Sequence, residues 1–175
     1  MISVKKNVIK PKEIDLILNV IKAMGPPLES TEDDSSIGYY GESDLLNFDI
    51  FAYGIFRDIC ERVLELAKKE FNLSLELYQA TIAKVVPGNI TKEHTDCKHP
   101  DGITKVGCGN FCISAVAYLN QDFTGGDLIF TKIKHNHKPI PGDCIIFPSH
   151  SQYDHYVDSV LSGERISLVM MFSGV

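Results

Sequence analysis

Residues 111–133, FCISAVAYLNQDFTGGDLIFTKI, carry the reading that decides the fold. Two short runs rich in β-branched and aromatic residues, 111–119 and 126–133, are separated by Asn120, Asp122, Gly125 and Gly126, which favour turns. Outward from this stretch the same pattern holds: 76–86, 143–147, 154–160 and 164–172 are further strand candidates bounded by Gly, Pro, Asn and Asp. Many short strands at even spacing favour a closed or two-sheet β architecture, and a jelly roll is the common way to remove exposed edges.

Before residue 75 the period is helical. Ile14, Ile17, Leu18, Ile21 and Met24 recur on one face over 12–24, and Gly25-Pro26-Pro27 ends the helix. A second helix is predicted over about 47–70, with Ile50, Phe51, Ile55, Ile59, Val63, Leu66 and Ala67 on one face and Arg57, Asp58, Glu61, Arg62, Lys68 and Lys69 on the other. Between them 28–43, LESTEDDSSIGYYGES, reads as a polar surface loop. The expected fold is therefore α+β and mainly β: a double-stranded β-helix of jelly-roll, cupin-like type with N-terminal helices packed on one sheet. One domain over 1–175 is expected, with a helical part at about 10–72 and a jelly-roll core at about 75–173.

Composition narrows the function. The net charge of −6 and the absence of clustered Lys and Arg argue against a nucleic-acid partner. No apolar run reaches the roughly 18 to 20 residues of a membrane span, and MISVKKNVIKPKEIDL lacks the apolar core of a signal peptide, so the cytoplasm is the expected location and no membrane partner is expected. Five cysteines, Cys60, Cys97, Cys108, Cys112 and Cys144, read as reduced thiols. A zinc site from Cys97, His99, Cys108 and Cys112 has only a loose C-x3-C spacing behind it and is the weaker reading.

The chemistry gathers in two places. His94-Thr95-Asp96 follows the turn Pro87-Gly88-Asn89, and alternate residues of an extended segment share a face, so both side chains can meet one ion. Taken alone, a surface pair beside Lys92 and Glu93 is the preferred reading. The second place is His155-Tyr156-Val157-Asp158-Ser159-Val160, followed by Gly163-Glu164-Arg165-Ile166-Ser167. Two histidines and one carboxylate on one face of a ferrous ion leave three positions open, enough for a two-oxygen chelate and dioxygen. Arg165, ten residues after His155, can pair with a distal carboxylate, and Ser167 on the same strand face can add a hydrogen bond to it.

These motifs resemble the prolyl 4-hydroxylase type of 2-oxoglutarate and Fe(II)-dependent dioxygenase. The likeness includes His-x-Asp, His-x-Val-x-x-Val-x-x-Gly-x-Arg and Val86-Pro87-Gly88-Asn89. It continues through Ala117-Tyr118-Leu119-Asn120, Phe123-Thr124-Gly125-Gly126-Asp127-Leu128-Ile129-Phe130 and Pro141-Gly142-Asp143 to Phe147, spanning roughly 76–172 in order. It implies His94, Asp96 and His155 as iron ligands, and Arg165, Ser167 and Tyr118 as contacts to 2-oxoglutarate. Catalysis is then expected of His94, Asp96, His155 and Arg165. The implied cofactors are Fe(II), 2-oxoglutarate and O2, with ascorbate as a further candidate, and the implied reaction hydroxylates a prolyl residue of a peptide or protein while yielding succinate and CO2. Where relatives often have Tyr before Pro-Gly, this chain has Val86, which removes one hydroxyl from the pocket. Collagen-type prolyl hydroxylases use Lys where Arg165 stands and oxygen-sensing ones use Arg, a choice that does not fix the substrate.

Other readings stay open. A free amino acid or small metabolite could be the substrate on the same scaffold, and a cupin-like metal-binding module or a structural zinc protein would need no oxygen chemistry. His150 competes with His155 but lacks its spacing to Arg165. His135 and His137 are expected at a solvated hairpin tip and Asp122 in a turn, while Asp127 is either a turn residue or lines the pocket mouth. Tyr39 and Tyr40 are either lid residues over a substrate or loop anchors.

Overall fold

The computed structural model describes residues 1–29, 37–89, 91–97 and 112–174. In chain order its elements are β1 (Ser3–Lys5), α1 (Pro11–Met24), β2 (Leu28–Glu29), β3 (Gly38–Gly41), α2 (Glu42–Phe48), α3 (Ile50–Phe71), β4 (Leu75–Val85), β5 (Cys112–Tyr118), β6 (Phe123–Gly125), β7 (Leu128–Phe130), β8 (His135–His137), β9 (Cys144–Pro148), β10 (His155–Val157), β11 (Val160–Gly163) and β12 (Arg165–Gly174).

Strand alternation builds two cores from one sheet. Ile113, Ala115 and Ala117 of β5, Cys144 and Ile146 of β9, and Ile166, Leu168, Met170 and Phe172 of β12 pack with Ile17, Ile21, Phe56, Ile59 and Val63 of the helices. The intervening Val116, Tyr118, Ile145 and Phe147 belong to a second cluster with Leu128 and Phe130 of β7. Each fully buried side chain of this size contributes about 1.5–3 kcal/mol. The major sheet runs β1-β9-β5-β12-β4-β3-β2, and smaller sheets run β10-β7-β8 and β11-β6. All pairs are antiparallel. This is the double-stranded β-helix with helices on one sheet that the sequence predicts.

Local chemistry corrects several boundaries. The helix expected over about 47–70 is α3, and an unexpected short helix, α2, ends just before it, because Asp49 takes an extended conformation and its carboxylate accepts from the N–H groups of Phe51 and Ala52 at 2.9 and 3.0 Å. Such a cap is worth about 1 kcal/mol and starts α3 afresh after α2. The loop expected over 28–43 contains two strands. β3 pairs with β4, which buries Tyr40, and the Tyr40 hydroxyl donates to the Gly25 carbonyl at 2.6 Å. Tyr40 is thus an anchor; residues 30–36 of that stretch lie outside the described residues. The candidate strand 154–160 splits between two sheets, β10 pairing with β7 and β11 with β6. At the split the Asp158 N–H donates to the Asp127 carbonyl at 2.8 Å, and the Asp127 carboxylate acts electrostatically on Arg165 and Tyr118.

Cys60, Cys97 and Cys144 are free thiols. His99 and Cys108 of the zinc reading lie outside the described residues. Among the described residues no helix is long and apolar enough to cross a membrane.

Candidate active site

His94 and His155, far apart in sequence, form an isolated antiparallel bridge in which each N–H donates to the other's carbonyl at 3.0 Å. Residues paired this way share a face, and the two imidazoles stand 4.6 Å apart, centroid to centroid. Asp96 returns to that face two residues after His94. Its Oδ1 lies 3.3 Å from His94 Nε2 and 3.8 Å from His155 Nε2, and the three ligand atoms all fall within 4.8 Å of one another. Each Nδ1 meets a carbonyl at 2.9 Å, that of Lys92 for His94 and that of Tyr153 for His155. A carbonyl only accepts, so Nδ1 holds the proton and Nε2 offers its lone pair to the centre.

The protonation states suit a divalent cation. Burial alone would raise the Asp96 carboxyl, but the imidazoles of His155 and His94 and the hydroxyl of Ser114 outweigh it and hold it far below the usual carboxylate range. Burial lowers His155, against the pull of Asp96, and favours the neutral ring. Ser114 donates to Asp96 Oδ2 at 2.5 Å and also touches the Ser149 hydroxyl. Neither serine is singled out by the sequence motifs, although Ser114 shares the strand parity of Val116 and Tyr118.

A second group of side chains lies deeper. Phe130 and Phe147 flank the His155 ring at 5.5 and 5.0 Å, and Tyr118 packs in the same cluster. Ser167 of β12 sits directly across from Tyr118 of β5. Arg165 is 2% exposed; its Nε donates to the Gly126 carbonyl and its Nη1 to Ser167 Oγ, both at 3.0 Å, and its guanidinium lies 5.3 Å from the centre of the Tyr118 ring. Gly126 permits this approach: its φ is +72°, and a Cβ there would stand 3.1 Å from Arg165 Cδ.

Arg165 Nη2 and Tyr118 Oη are buried without a partner, and no ion pair among the described residues includes Arg165. Asp127 acts on both groups electrostatically but makes no ion pair with the guanidinium, so the unmet polar atoms of this buried cation and phenol suit an anionic ligand. These residues therefore fit a carboxylate, and the nearby imidazole–carboxylate triangle fits a metal ion.

His150, the rival of His155, is exposed as expected and caps a short 3-10 turn, its ring accepting from the Gln152 N–H. His135 and His137 are not a solvated tip: they form β8, the third strand of the minor sheet, and His137 is only 9% exposed. Pairing with β7 turns their side chains toward the major sheet, which is why a polar, turn-like sequence becomes part of the interior.

A jelly roll with two imidazoles and a carboxylate around one point, and a buried guanidinium beyond, defines the class of mononuclear non-haem iron oxygenases that take a keto-acid co-substrate. The family model described as the 2OG-Fe(II) oxygenase superfamily matches residues 80–173, more than half of the chain, and the chain belongs to that superfamily. It is an oxidoreductase of the dioxygenase type, with Fe(II) and 2-oxoglutarate as its cofactors. Prolyl 3-hydroxylase 2 of Gallus gallus is 26% identical over an alignment of 141 residues that covers 68% of this chain. The chain spans about one fifth of that relative's length, 20%. Among solved structures, the viral collagen prolyl hydroxylase of Paramecium Bursaria Chlorella virus-1, in its 2OG complex, superposes with a TM-score of 0.70 at 16% identity, covering 99% of this chain and 96% of the other. A Pseudomonas putida prolyl-4-hydroxylase gives 0.74 at 18% identity, covering 99% and 92%. At these identities the two structures show a shared fold.

Proposed function

We propose that this oxygenase hydroxylates a prolyl residue of a peptide or protein, with His94, Asp96 and His155 holding the iron and Arg165, Ser167 and Tyr118 holding the distal carboxylate of 2-oxoglutarate. When bound, the metal and keto acid supply the oxidising chemistry: decarboxylation to succinate and CO2, with one atom of O2 entering an unactivated C–H bond. This chain's residues supply position. Lys92 and Tyr153 carbonyls fix the two imidazoles, Ser114 fixes the carboxylate, and Phe130 and Phe147 keep water from the inner side of His155.

The observation that carries the substrate reading is the exposure of His94. Its side chain is 51% exposed while those of Asp96 and His155 are at 14% and 7%, so the centre opens at the surface on the His94 side. A residue protruding from a longer chain reaches such a centre without having to be engulfed. The likeness to a prolyl 3-hydroxylase and two prolyl hydroxylase structures supports proline as that residue.

The test is turnover of proline-containing peptides with Fe(II), 2-oxoglutarate and air, scored by mass spectrometry for a 2-oxoglutarate-coupled gain of one oxygen on proline. Coupled oxidation of free amino acids or small molecules, with peptides untouched, would overturn the peptide reading.

A further inference from the structure

The His135-Asn136-His137 segment has no part in the site described so far, yet its register places it there. Across β10, β7 and β8, His155 faces Phe130, which faces His135; one step along the same face, Val157 faces Leu128, which faces His137. The next step along β7 is Gly126, whose carbonyl holds Arg165. His137 thus stands between the row of the metal histidine and the row of the guanidinium. Its ring stacks on Tyr118 with centroids 5.5 Å apart and planes 25° apart.

Four buried side-chain atoms lack a partner among the described residues: Tyr118 Oη, Arg165 Nη2, His137 Nε2 and His135 Nε2. Native interiors leave few such atoms, and a cluster of them calls for a polar partner, a ligand or ordered water, between them. A carboxylate offers about four acceptor positions. Arg165 Nη2, Tyr118 Oη, the Ser167 hydroxyl and one imidazole N–H would fill them.

We propose that His137 is a co-substrate-binding residue whose Nε2–H donates to the distal carboxylate of 2-oxoglutarate beside Arg165 and Tyr118. The proposal rests on reading this hollow as the keto-acid pocket. Burial lowers the pKa of His137, which favours the neutral ring with a single N–H, a donor but not a second full charge beside Arg165. Retaining a polar ring here gives the pocket a means of discriminating dicarboxylic keto acids from monocarboxylic ones.

The experiment is anaerobic calorimetry of the Fe(II)-loaded protein with 2-oxoglutarate and with 2-oxopentanoate, which carries a methyl group in place of the distal carboxylate. His137→Leu is expected to weaken 2-oxoglutarate roughly tenfold to a hundredfold, leave 2-oxopentanoate unchanged, and be largely rescued by His137→Gln, which keeps an N–H. Should the leucine variant fail to fold, His137→Met against His137→Gln makes the same comparison at similar volume. Unchanged 2-oxoglutarate affinity, or equal losses for both keto acids, overturns the assignment. Arg165→Ala separates the two levels. If it abolishes the preference for 2-oxoglutarate while His137→Leu does not, only the histidine falls; if neither touches it, the pocket itself is misread.

Discussion

Arg165 is where a single substitution separates the two halves of the site. Arg165→Ala should weaken 2-oxoglutarate by at least about two orders of magnitude, since removing one partner of a buried charged pair costs about 3–5 kcal/mol. Iron affinity should stay at the wild-type value, because no metal-ligand candidate touches the guanidinium. Anaerobic Fe(II) titration with and without the keto acid reads both, and retained 2-oxoglutarate affinity would show the anchor to be elsewhere. Ser114 makes the complementary case. It meets Asp96 at 2.5 Å and no keto-acid contact is assigned to it, so Ser114→Ala should cost roughly tenfold to a hundredfold in metal affinity and little in keto-acid affinity measured at saturating metal. Metal binding as tight as wild type would mean the two imidazoles hold Asp96 unaided.

At the scale of elements, the helices are tied together by Glu13 and Arg62. Glu13 accepts from the Lys10 N–H at 2.8 Å, closing the first turn of α1. Arg62 of α3 reaches both its oxygens at 2.9 and 3.0 Å and the Val8 carbonyl at 2.6 Å. The hydrogen bonds from Arg62 come first among the causes that hold the Glu13 carboxyl below its ordinary 4.5. A depressed folded-state pKa stabilises above the unfolded value, and that stability is lost as pH falls through the folded value. Glu13→Gln should therefore cost about 1–2 kcal/mol near neutral pH, Arg62 being one-third exposed. The gap between variant and wild type should close as pH is lowered through and below 4.5 in chemical denaturation. A gap that is constant with pH would assign the effect to packing.

For the whole molecule, the centre is assembled from segments that meet only on folding, so its ligands bind the folded state and stabilise it. At about a hundredfold excess over Kd a ligand adds about 2.7 kcal/mol, which for a chain of this size raises Tm by roughly 5–10 °C. Fe(II) with 2-oxoglutarate should produce such a rise under anaerobic conditions, and 2-oxoglutarate without metal should produce much less, because its keto-acid end then has no partner. An equal shift without metal would uncouple the two sites. Much of this architecture was legible in residue order. The β-rich runs 111–119 and 164–172, bounded by turn residues, foretold strands there, because such residues favour the extended chain. His94, Asp96, His155 and Arg165 stood out through their spacing. What residue order left open was decided by neighbours brought in from far along the chain. β1, β3 and β8 are too short and too polar to declare themselves, and become strands because β9, β4 and β7 offer them unpaired backbone. Ser114 and His137 acquire their places only through the register of β5 on β12 and of β8 on β7, since local pattern tells a side chain which face to take but not what will lie opposite it.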